Sequence, residues 1–147
     1  GGGVLRDLSH ELDLVQFLAG PWVRVAALAG TFGDLGIQAE DTACLLLETG
    51  SCPAVTVQLN YLDPRPRREL LVLAEGLSLK ADFVAGELET PQGLERFVVE
   101  RDATYLAQAR ALTTDCAGLC SLEDGLRTVE LIDRAEQAAE RGEWVQR

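Results

Sequence analysis

The first hydrophobic pattern along the chain has helical spacing. Over residues 5–19, apolar side chains return to one side at each turn, and these residues are Leu8, Leu12, Val15 and Ala19. Gly20 and Pro21 follow directly, and both residue types end helices. The pattern therefore predicts a first helix over residues 5–19.

Six later runs are rich in residues that favour strands: residues 22–28, 42–49, 54–62, 69–75, 77–84 and 95–100. Runs 54–62 and 77–84 alternate apolar and polar side chains, so we expect each to have one face in water. Runs 42–49 and 69–75 are apolar on both sides, so we expect both of their faces to be covered. Gly50 and Gly76 separate neighbouring runs, which favours antiparallel hairpins.

Two further segments, residues 102–113 and 121–141, again have helical spacing. The apolar stripe of the second segment is formed by Leu122, Leu126, Val129 and Ile132. Ser121 and Asp124 have the spacing of a capping box at its start, and Gly142 ends it. The segments 29–40 and 85–94 have the composition of loops.

Together these elements predict an α+β fold. We expect an open, mostly antiparallel sheet of about six strands, with helices 5–19 and 121–141 packed on one face. The chain has 147 residues, 47% of them hydrophobic, which suits one domain over residues 1–147.

The charge and the apolar runs exclude several classes of partner. The formal net charge is -11, from 24 acidic and 13 basic side chains, so the chain repels the phosphates of nucleic acid. No apolar run approaches the ~20 residues that span a bilayer, and the N-terminus does not resemble a secretory signal. We therefore expect a cytoplasmic location. The opening on Gly1 and the lack of methionine suggest a piece of a longer protein.

The four cysteines are expected to be reduced thiols that pack in the protein. A chain of this size needs no disulfide to fold, and secretory features are missing. Three residues separate Cys116 from Cys120, but zinc needs four ligands and the only histidine, His10, is far away in sequence. We therefore predict no metal site.

His10 lies among carboxylates in the first predicted helix. Asp7 and Asp13 are each three residues from it, so helical spacing places them on its flank. An imidazole titrates near neutrality and an adjacent acid can fix its tautomer, which suits the removal of a proton from a carbinol. The same residues also fit a surface histidine that pairs with Asp7 or Glu11 and stabilises the helix. Leu14 and Phe17 flank His10, so we expect another surface to meet this side.

Residues 1–13, GGGVLRDLSHELD, with Gly20 after them, resemble the start of the C-terminal domain in the glucose-fructose oxidoreductase and inositol dehydrogenase family, Gfo/Idh/MocA. Three other stretches are similar to that family: residues 41–43, which open an apolar strand, residues 55–62, which run into Arg-Pro residues, and residues 121–127, which open the last helix. The resemblance extends in order over nearly the whole chain.

The resemblance implies a two-domain enzyme whose N-terminal Rossmann domain, absent from this chain, binds NAD or NADP. The motif's histidine, here His10, would transfer the proton, and its aspartate, here Asp7, would assist. Many family members place one more residue between these two than this chain does. The family's lysine partner would lie in the Rossmann half, so this chain alone is expected to be inactive and to bind no cofactor.

Several other residues are candidates for substrate binding. A guanidinium fork suits hydroxyl, carboxylate or phosphate groups, which makes Arg6 and the cluster Arg65, Arg67 and Arg68 candidates. Solvated loop arginines are the alternative. Tyr105 is a further candidate at the start of a predicted helix, together with Asp102. The glycines do not form a dinucleotide fingerprint, because none follows a strand and opens a helix.

The sequence therefore predicts the substrate-binding and oligomerisation domain of a sugar or cyclitol dehydrogenase. The expected partners are the Rossmann domain of the parent chain, a sugar-like small molecule, and a second copy of the chain bound through the open sheet face. The alternative is a non-catalytic domain of the same fold that binds a ligand or a protein.

Overall fold

The computed structural model describes residues 2–100 and 102–147. Within these residues the elements, in chain order, are α1 (Val4–Asp7), α2 (Ser9–Ala19), β1 (Trp22–Gly30), β2 (Thr42–Thr49), β3 (Val55–Asn60), β4 (Glu69–Ala74), β5 (Leu77–Asp82), β6 (Glu87–Thr90), β7 (Gly93–Arg96), α3 (Ala103–Leu112), α4 (Leu122–Arg141) and β8 (Val145–Gln146). The predicted α+β class, with open antiparallel sheets, is confirmed.

The contacts divide the chain into two compact units, although its length favours one domain. Unit 1 comprises Gly1–Leu62 and Cys120–Arg147, and unit 2 comprises Asp63–Leu119. Each unit has a four-stranded antiparallel sheet, where one sheet of about six strands was expected. Pro64 and Pro66 stand between the strands of the two sheets. A proline has no N–H to donate to a neighbouring strand, so pairing stops there.

In unit 1 the strand order is β3-β2-β1-β8, and every neighbouring pair is antiparallel. Alternate side chains point to the core, so Val25 opposite Leu47 and Leu45 opposite Val57 are buried. Residues from α1, α2 and α4 join the same core: Val4, Leu5, Leu12, Leu131, Ile132, Ala135 and Ala138. The helices of unit 1 therefore cover one face of its sheet, and the other face stays open.

The helix predicted over residues 5–19 is broken at Leu8. Leu8 has φ -104° and ψ 26°, outside helical geometry, and separates α1 from α2. Its N–H still bonds the carbonyl oxygen of Val4, and its own carbonyl accepts the N–H of Glu11. The break turns the chain between Asp7 and His10, so the two residues lie at the end of one helix and the start of the next.

Helix α4 has its predicted bounds and its capping box. The N–H of Asp124 donates to Ser121 Oγ, and the N–H of Ser121 donates to Asp124 Oδ2. Most of the apolar stripe seen in the sequence does not face the core, because Leu122, Leu126 and Val129 are exposed and only Ile132 is buried. The buried stripe consists of Thr128, Leu131, Ile132, Ala135 and Ala138. Its alanines have small side chains, which let the helix approach the sheet closely.

Unit 2 contains the sheet β4-β5-β6-β7 and helix α3. Two predictions are wrong here. The predicted loop 85–94 contains β6 and the start of β7, and the predicted strand 95–100 ends at Arg96. Charged residues interrupt the apolar pattern of both strands, which is why the pattern does not reveal them. Among the described residues, no helix combines the length and apolar character needed to cross a membrane.

Candidate active site

His10 lies in the first turn of α2, and its side chain is 57% exposed. Its Nε2 atom is 3.2 Å from Glu11 Oε1. The carboxylate that pairs with the imidazole is therefore that of Glu11, the neighbour also expected for a surface histidine. The ring is therefore accessible and has an anionic partner beside Nε2.

Asp7 ends α1, and its carboxylate accepts a hydrogen bond from Tyr61. The Tyr61 hydroxyl donates to Asp7 Oδ2 over 2.7 Å. Burial raises the pKa of Tyr61 to about 12, and the hydrogen bond to Asp7 and the charges of Asp7 and Glu40 add to the rise. The phenol therefore remains a donor throughout the neutral range.

The backbone conformation and the surroundings of Gly3, the residue before α1, both require a glycine. Gly3 has φ +82°, a region that residues with a Cβ rarely adopt, and a Cβ there would lie 2.1 Å from Glu40 Oε2. The Glu40 carboxylate is fixed in that place, because its Oε1 accepts the N–H of Leu5 over 3.1 Å. The carbonyl of Glu40 also accepts the N–H of Val4. Gly1, the first glycine of the motif, lies outside the described residues.

Asp41 is a buried carboxylate that organises the loop before β2. It accepts the N–H groups of Phe32 and Gly33, over 3.0 and 2.8 Å, and the hydroxyl of Thr42 over 3.0 Å. The hydrogen bond from Phe32 is the main cause of a lowered pKa for Asp41, and those from Gly33 and Thr42 add to it. The carbonyl of Asp41 accepts the N–H of Tyr61. Glu40 and Asp41 thus hold α1 and Tyr61 at neighbouring positions of one segment.

Arg6 links α1 to α4. Its Nη2 atom lies 2.9 Å from Glu136 Oε1 and 3.3 Å from Asp133 Oδ1, and the Glu136 charge is the main reason that the pKa of Arg6 is raised. The structure therefore gives Arg6 two carboxylate partners within unit 1. A contact between Arg6 and substrate stays a prediction.

The other predicted substrate residues lie in unit 2. Arg67 Nε is 3.1 Å from Asp63 Oδ2, and the N–H of Arg65 donates to Asp63 Oδ1 over 3.0 Å. Tyr105 is exposed on α3. Asp7, His10 and Arg6 belong to unit 1, so the predicted site residues divide between the two units.

Sequence reasoning does not identify Tyr61 and Glu40 as members of this site. Tyr61 lies on the same face of run 54–62 as its buried residues, so the alternating pattern indicates an ordinary core residue. The available signal is its hydroxyl, because a partly buried tyrosine needs a hydrogen-bond partner. Glu40 lies in a predicted loop, and its bond to Leu5 joins residues 35 positions apart.

The described residues contain no cluster of three histidine, cysteine or acidic side chains that could hold a metal ion. The four cysteines, Cys44, Cys52, Cys116 and Cys120, are free thiols. The chemistry that the described site can offer is therefore that of carboxylates, an imidazole and a phenol.

The sequence-family model of the Gfo/Idh/MocA C-terminal domain matches residues 1–79, so the chain belongs to this family. The predicted family resemblance is confirmed. No curated protein matches the sequence.

Solved structures share the fold. The dehydrogenase WlbA from Bordetella pertussis, in complex with NADH and UDP-GlcNAcA, is 19% identical with a TM-score of 0.77, and the match covers 99% of this chain and 48% of that one. GenD2 from gentamicin A biosynthesis, in complex with NAD, is 22% identical with a TM-score of 0.80, over 100% and 48% of the two chains. Levoglucosan dehydrogenase, in complex with NADH and L-sorbose, is 16% identical with a TM-score of 0.83, over 99% and 50%.

The chain spans about half the length of these solved relatives. At such low identities the likeness shows the fold, and these relatives are NAD(H)-bound proteins, two of them dehydrogenases.

Proposed function

We propose that the chain is the substrate-side domain of a cytoplasmic NAD(P)-dependent oxidoreductase that interconverts a carbinol and a carbonyl on a sugar or cyclitol. The observation that carries the proposal is the position of Asp7 and His10, both exposed at the α1–α2 junction of a domain from this family. In the parent enzyme a bound nicotinamide would supply the hydride acceptor or donor.

The described residues around the glycines do not fit a dinucleotide. The Glu40 carboxylate occupies the space next to Gly3, and Asp7 is a few residues further on, so a pyrophosphate would meet negative charge there. Helix α1 has only four residues and no preceding strand in this structure. We therefore assign the cofactor site to the part of the parent that this chain does not include.

His10 is the group that we assign to proton transfer. In oxidation, Nδ1 of the neutral imidazole accepts the hydroxyl proton of the carbinol, while the Glu11 carboxylate beside Nε2 stabilises the resulting imidazolium. In reduction the same proton returns to the alkoxide oxygen. Asp7 assists by accepting a hydrogen bond from a substrate hydroxyl. Arg6, Arg65, Arg67 and Tyr105 remain our candidates for substrate contacts.

The uncovered flank of α2 supports the presence of a second domain. Phe17 is 84% exposed and lies on the His10 side of the helix, where the sequence predicts cover from another surface. An aromatic ring left in water at this place fits the Rossmann domain of the parent as the covering partner.

Apolar residues on the open face of the unit 1 sheet support self-association. Leu28 is 62% exposed and Leu46 is 50% exposed, and they lie on adjacent strands of that face. The same face also fits the alternative function, a non-catalytic domain that binds a ligand or a protein.

Calorimetric titration and a turnover assay separate these functions. We expect the full-length parent to bind NAD or NADP and to transfer hydride with at least one member of a panel of sugars and cyclitols, whereas the 147-residue chain binds neither dinucleotide. Micromolar dinucleotide binding by the chain alone would show that the cofactor site is misplaced. A parent that binds the dinucleotide but turns over no polyol would favour the non-catalytic alternative.

A further inference from the structure

We propose that Tyr61 is a positioning residue that holds Oδ2 of Asp7 and leaves Oδ1 to accept a hydrogen bond from a hydroxyl group of the substrate. The inference rests on the proposed function, because it assigns a role to Asp7 in binding a polyol. Its basis is the 2.7 Å hydrogen bond between Tyr61 and Asp7, which joins residues 54 positions apart.

The donor is fixed at the end of β3. The N–H of Tyr61 bonds the carbonyl of Asp41 over 2.9 Å, and the following N–H, that of Leu62, bonds Asn60 Oδ1 over 2.9 Å. The Tyr61 ring packs against the core of unit 1. The hydroxyl therefore projects from a backbone with little freedom to move.

The acceptor is fixed on the same segment. The N–H of Val4 bonds the carbonyl of Glu40, and the N–H of Leu5 bonds the Glu40 carboxylate. The first turn of α1 is therefore held by Glu40, the residue that precedes Asp41. Val4 and Leu5 are fully buried. Asp7 belongs to the same four-residue helix, and its N–H bonds the carbonyl of Gly3, so its carboxylate and the Tyr61 hydroxyl are both placed by residues 40–41.

The pair suits a ligand that donates a hydrogen bond. A carboxylate accepts hydrogen bonds only, and Tyr61 is the hydrogen-bond partner that the described residues provide for Asp7. Asp7 itself is exposed, and its Oδ1 lies beside Gly2, where even a Cβ would be 3.5 Å away. A hydroxyl next to the reacting carbinol of a polyol has the matching donor.

The same hydrogen bond to Asp7 would also form if Tyr61 were a core residue whose hydroxyl only needs a hydrogen-bond partner. The positioning role and the structural role predict different effects of Tyr61→Phe in a variant that already lacks the Asp7 carboxylate. A positioning residue acts only through Asp7, so its loss has no further effect in an Asp7→Asn background, whereas a structural tyrosine acts independently.

The first experiment tests the pair in the 147-residue chain by phenolate absorbance. The sequence has two tyrosines, so Tyr105→Phe leaves Tyr61 as the sole reporter. With the pKa of Tyr61 at about 12, we expect roughly a tenth of the phenol to be ionised at pH 11, and markedly more after Asp7→Asn. Asp13→Asn removes a carboxylate of α2 that is not among the charges acting on Tyr61 and should leave the ionised fraction unchanged. Circular dichroism at the same pH confirms that each variant is folded.

An ionised fraction of about nine tenths in the folded Tyr105→Phe chain, as for a free phenol, would overturn the pair. An equal response to Asp7→Asn and Asp13→Asn would also overturn it, since the shift would then reflect general negative charge.

The second experiment tests the role by kinetics in the full-length parent. We expect Tyr61→Phe to lower kcat/KM for the polyol by about tenfold, with dinucleotide affinity unchanged, and to have less than about a twofold effect in the Asp7→Asn background. Thr128→Val removes a part-buried hydroxyl from the same unit and should leave kcat/KM unchanged. Losses from Tyr61→Phe and Asp7→Asn that multiply would show a structural tyrosine.

Failure of this proposal and failure of the proposed function give different results. A parent that transfers no hydride contradicts the function, while the absorbance titration still decides whether the pair forms. An active parent that depends on His10 but is unaffected by Tyr61→Phe contradicts only the positioning role.

Discussion

Gly3 shows how one residue without a side chain supports the site. Its positive φ and the Glu40 carboxylate beside it both exclude a Cβ. The same carboxylate bonds the N–H of Leu5, so an alanine at this position would have to displace the group that holds the start of α1. The glycine therefore fixes the orientation of the helix that ends in Asp7.

We expect Gly3→Ala to destabilise the chain by about 2–3 kcal/mol, because left-handed strain costs roughly 1–2 kcal/mol and the lost bond to Leu5 about 1 kcal/mol. Urea unfolding provides the measurement. Gly125→Ala is the matched control, since a Cβ at this helical position meets nothing within 4 Å and should raise stability slightly. Equal midpoints for the two variants would contradict this explanation of Gly3.

The candidate site is only partly visible in local sequence. Asp7 and His10 are recognised from a motif of a few residues, and both lie at the α1–α2 junction. Tyr61 and Glu40 reach the site through contacts over 54 and 35 residues, which no periodicity encodes. The helix break at Leu8 separates Asp7 from His10, and the carboxylate beside the imidazole is that of Glu11.

At the scale of elements, α4 contains two apolar stripes and buries only one of them. Leu131 is fully buried, whereas Leu126 is 59% exposed. Both leucines satisfy helical periodicity, so the pattern predicts the helix correctly but does not decide which side meets the sheet.

Two alanine substitutions test this orientation. Leu131→Ala should lower the free energy of unfolding by about 2–5 kcal/mol, because it leaves a cavity in the core. Leu126→Ala should change it by less than about 0.5 kcal/mol. Chemical denaturation measures both, and a reversed order would mean that the predicted stripe is the buried one.

The other elements differ in how clearly the sequence defines them. The capping box at Ser121 and the hairpin glycines Gly50 and Gly76 have local signatures, and the structure confirms them. Strand β6 and the start of β7 are missed because Glu87, Glu89 and Glu95 interrupt the apolar pattern of these two strands. Alternation is informative only where a strand has a buried face.

At the scale of the whole molecule, the open face of the unit 1 sheet is the surface that we propose for binding a second copy. Leu46 lies between Ala26 and Thr56 on neighbouring strands, and Leu28 pairs with Cys44. Side chains on this face point away from the core, so a charge introduced there need not disturb the fold.

We expect Leu46→Glu to abolish self-association of the full-length parent while its thermal unfolding stays nearly unchanged, because a buried unpaired carboxylate is costly in an interface. Sedimentation velocity measures the assembly. Leu126→Glu places the same charge at an exposed leucine of α4 and should leave the assembly unchanged. A parent that is monomeric at high concentration, or a Leu46→Glu variant that still assembles, would contradict a role for this face.

The central claim is that His10 accepts the substrate proton, and the most direct test is the kcat of a His10→Asn variant of the full-length parent. Asparagine keeps some hydrogen bonding but removes the titrating acceptor. We predict that kcat falls by about 10²–10⁴ while dinucleotide affinity and stability stay nearly unchanged, and that the acidic limb of the pH–rate profile disappears. A near-normal kcat would contradict the claim and leave His10 as a helix-surface residue paired with Glu11.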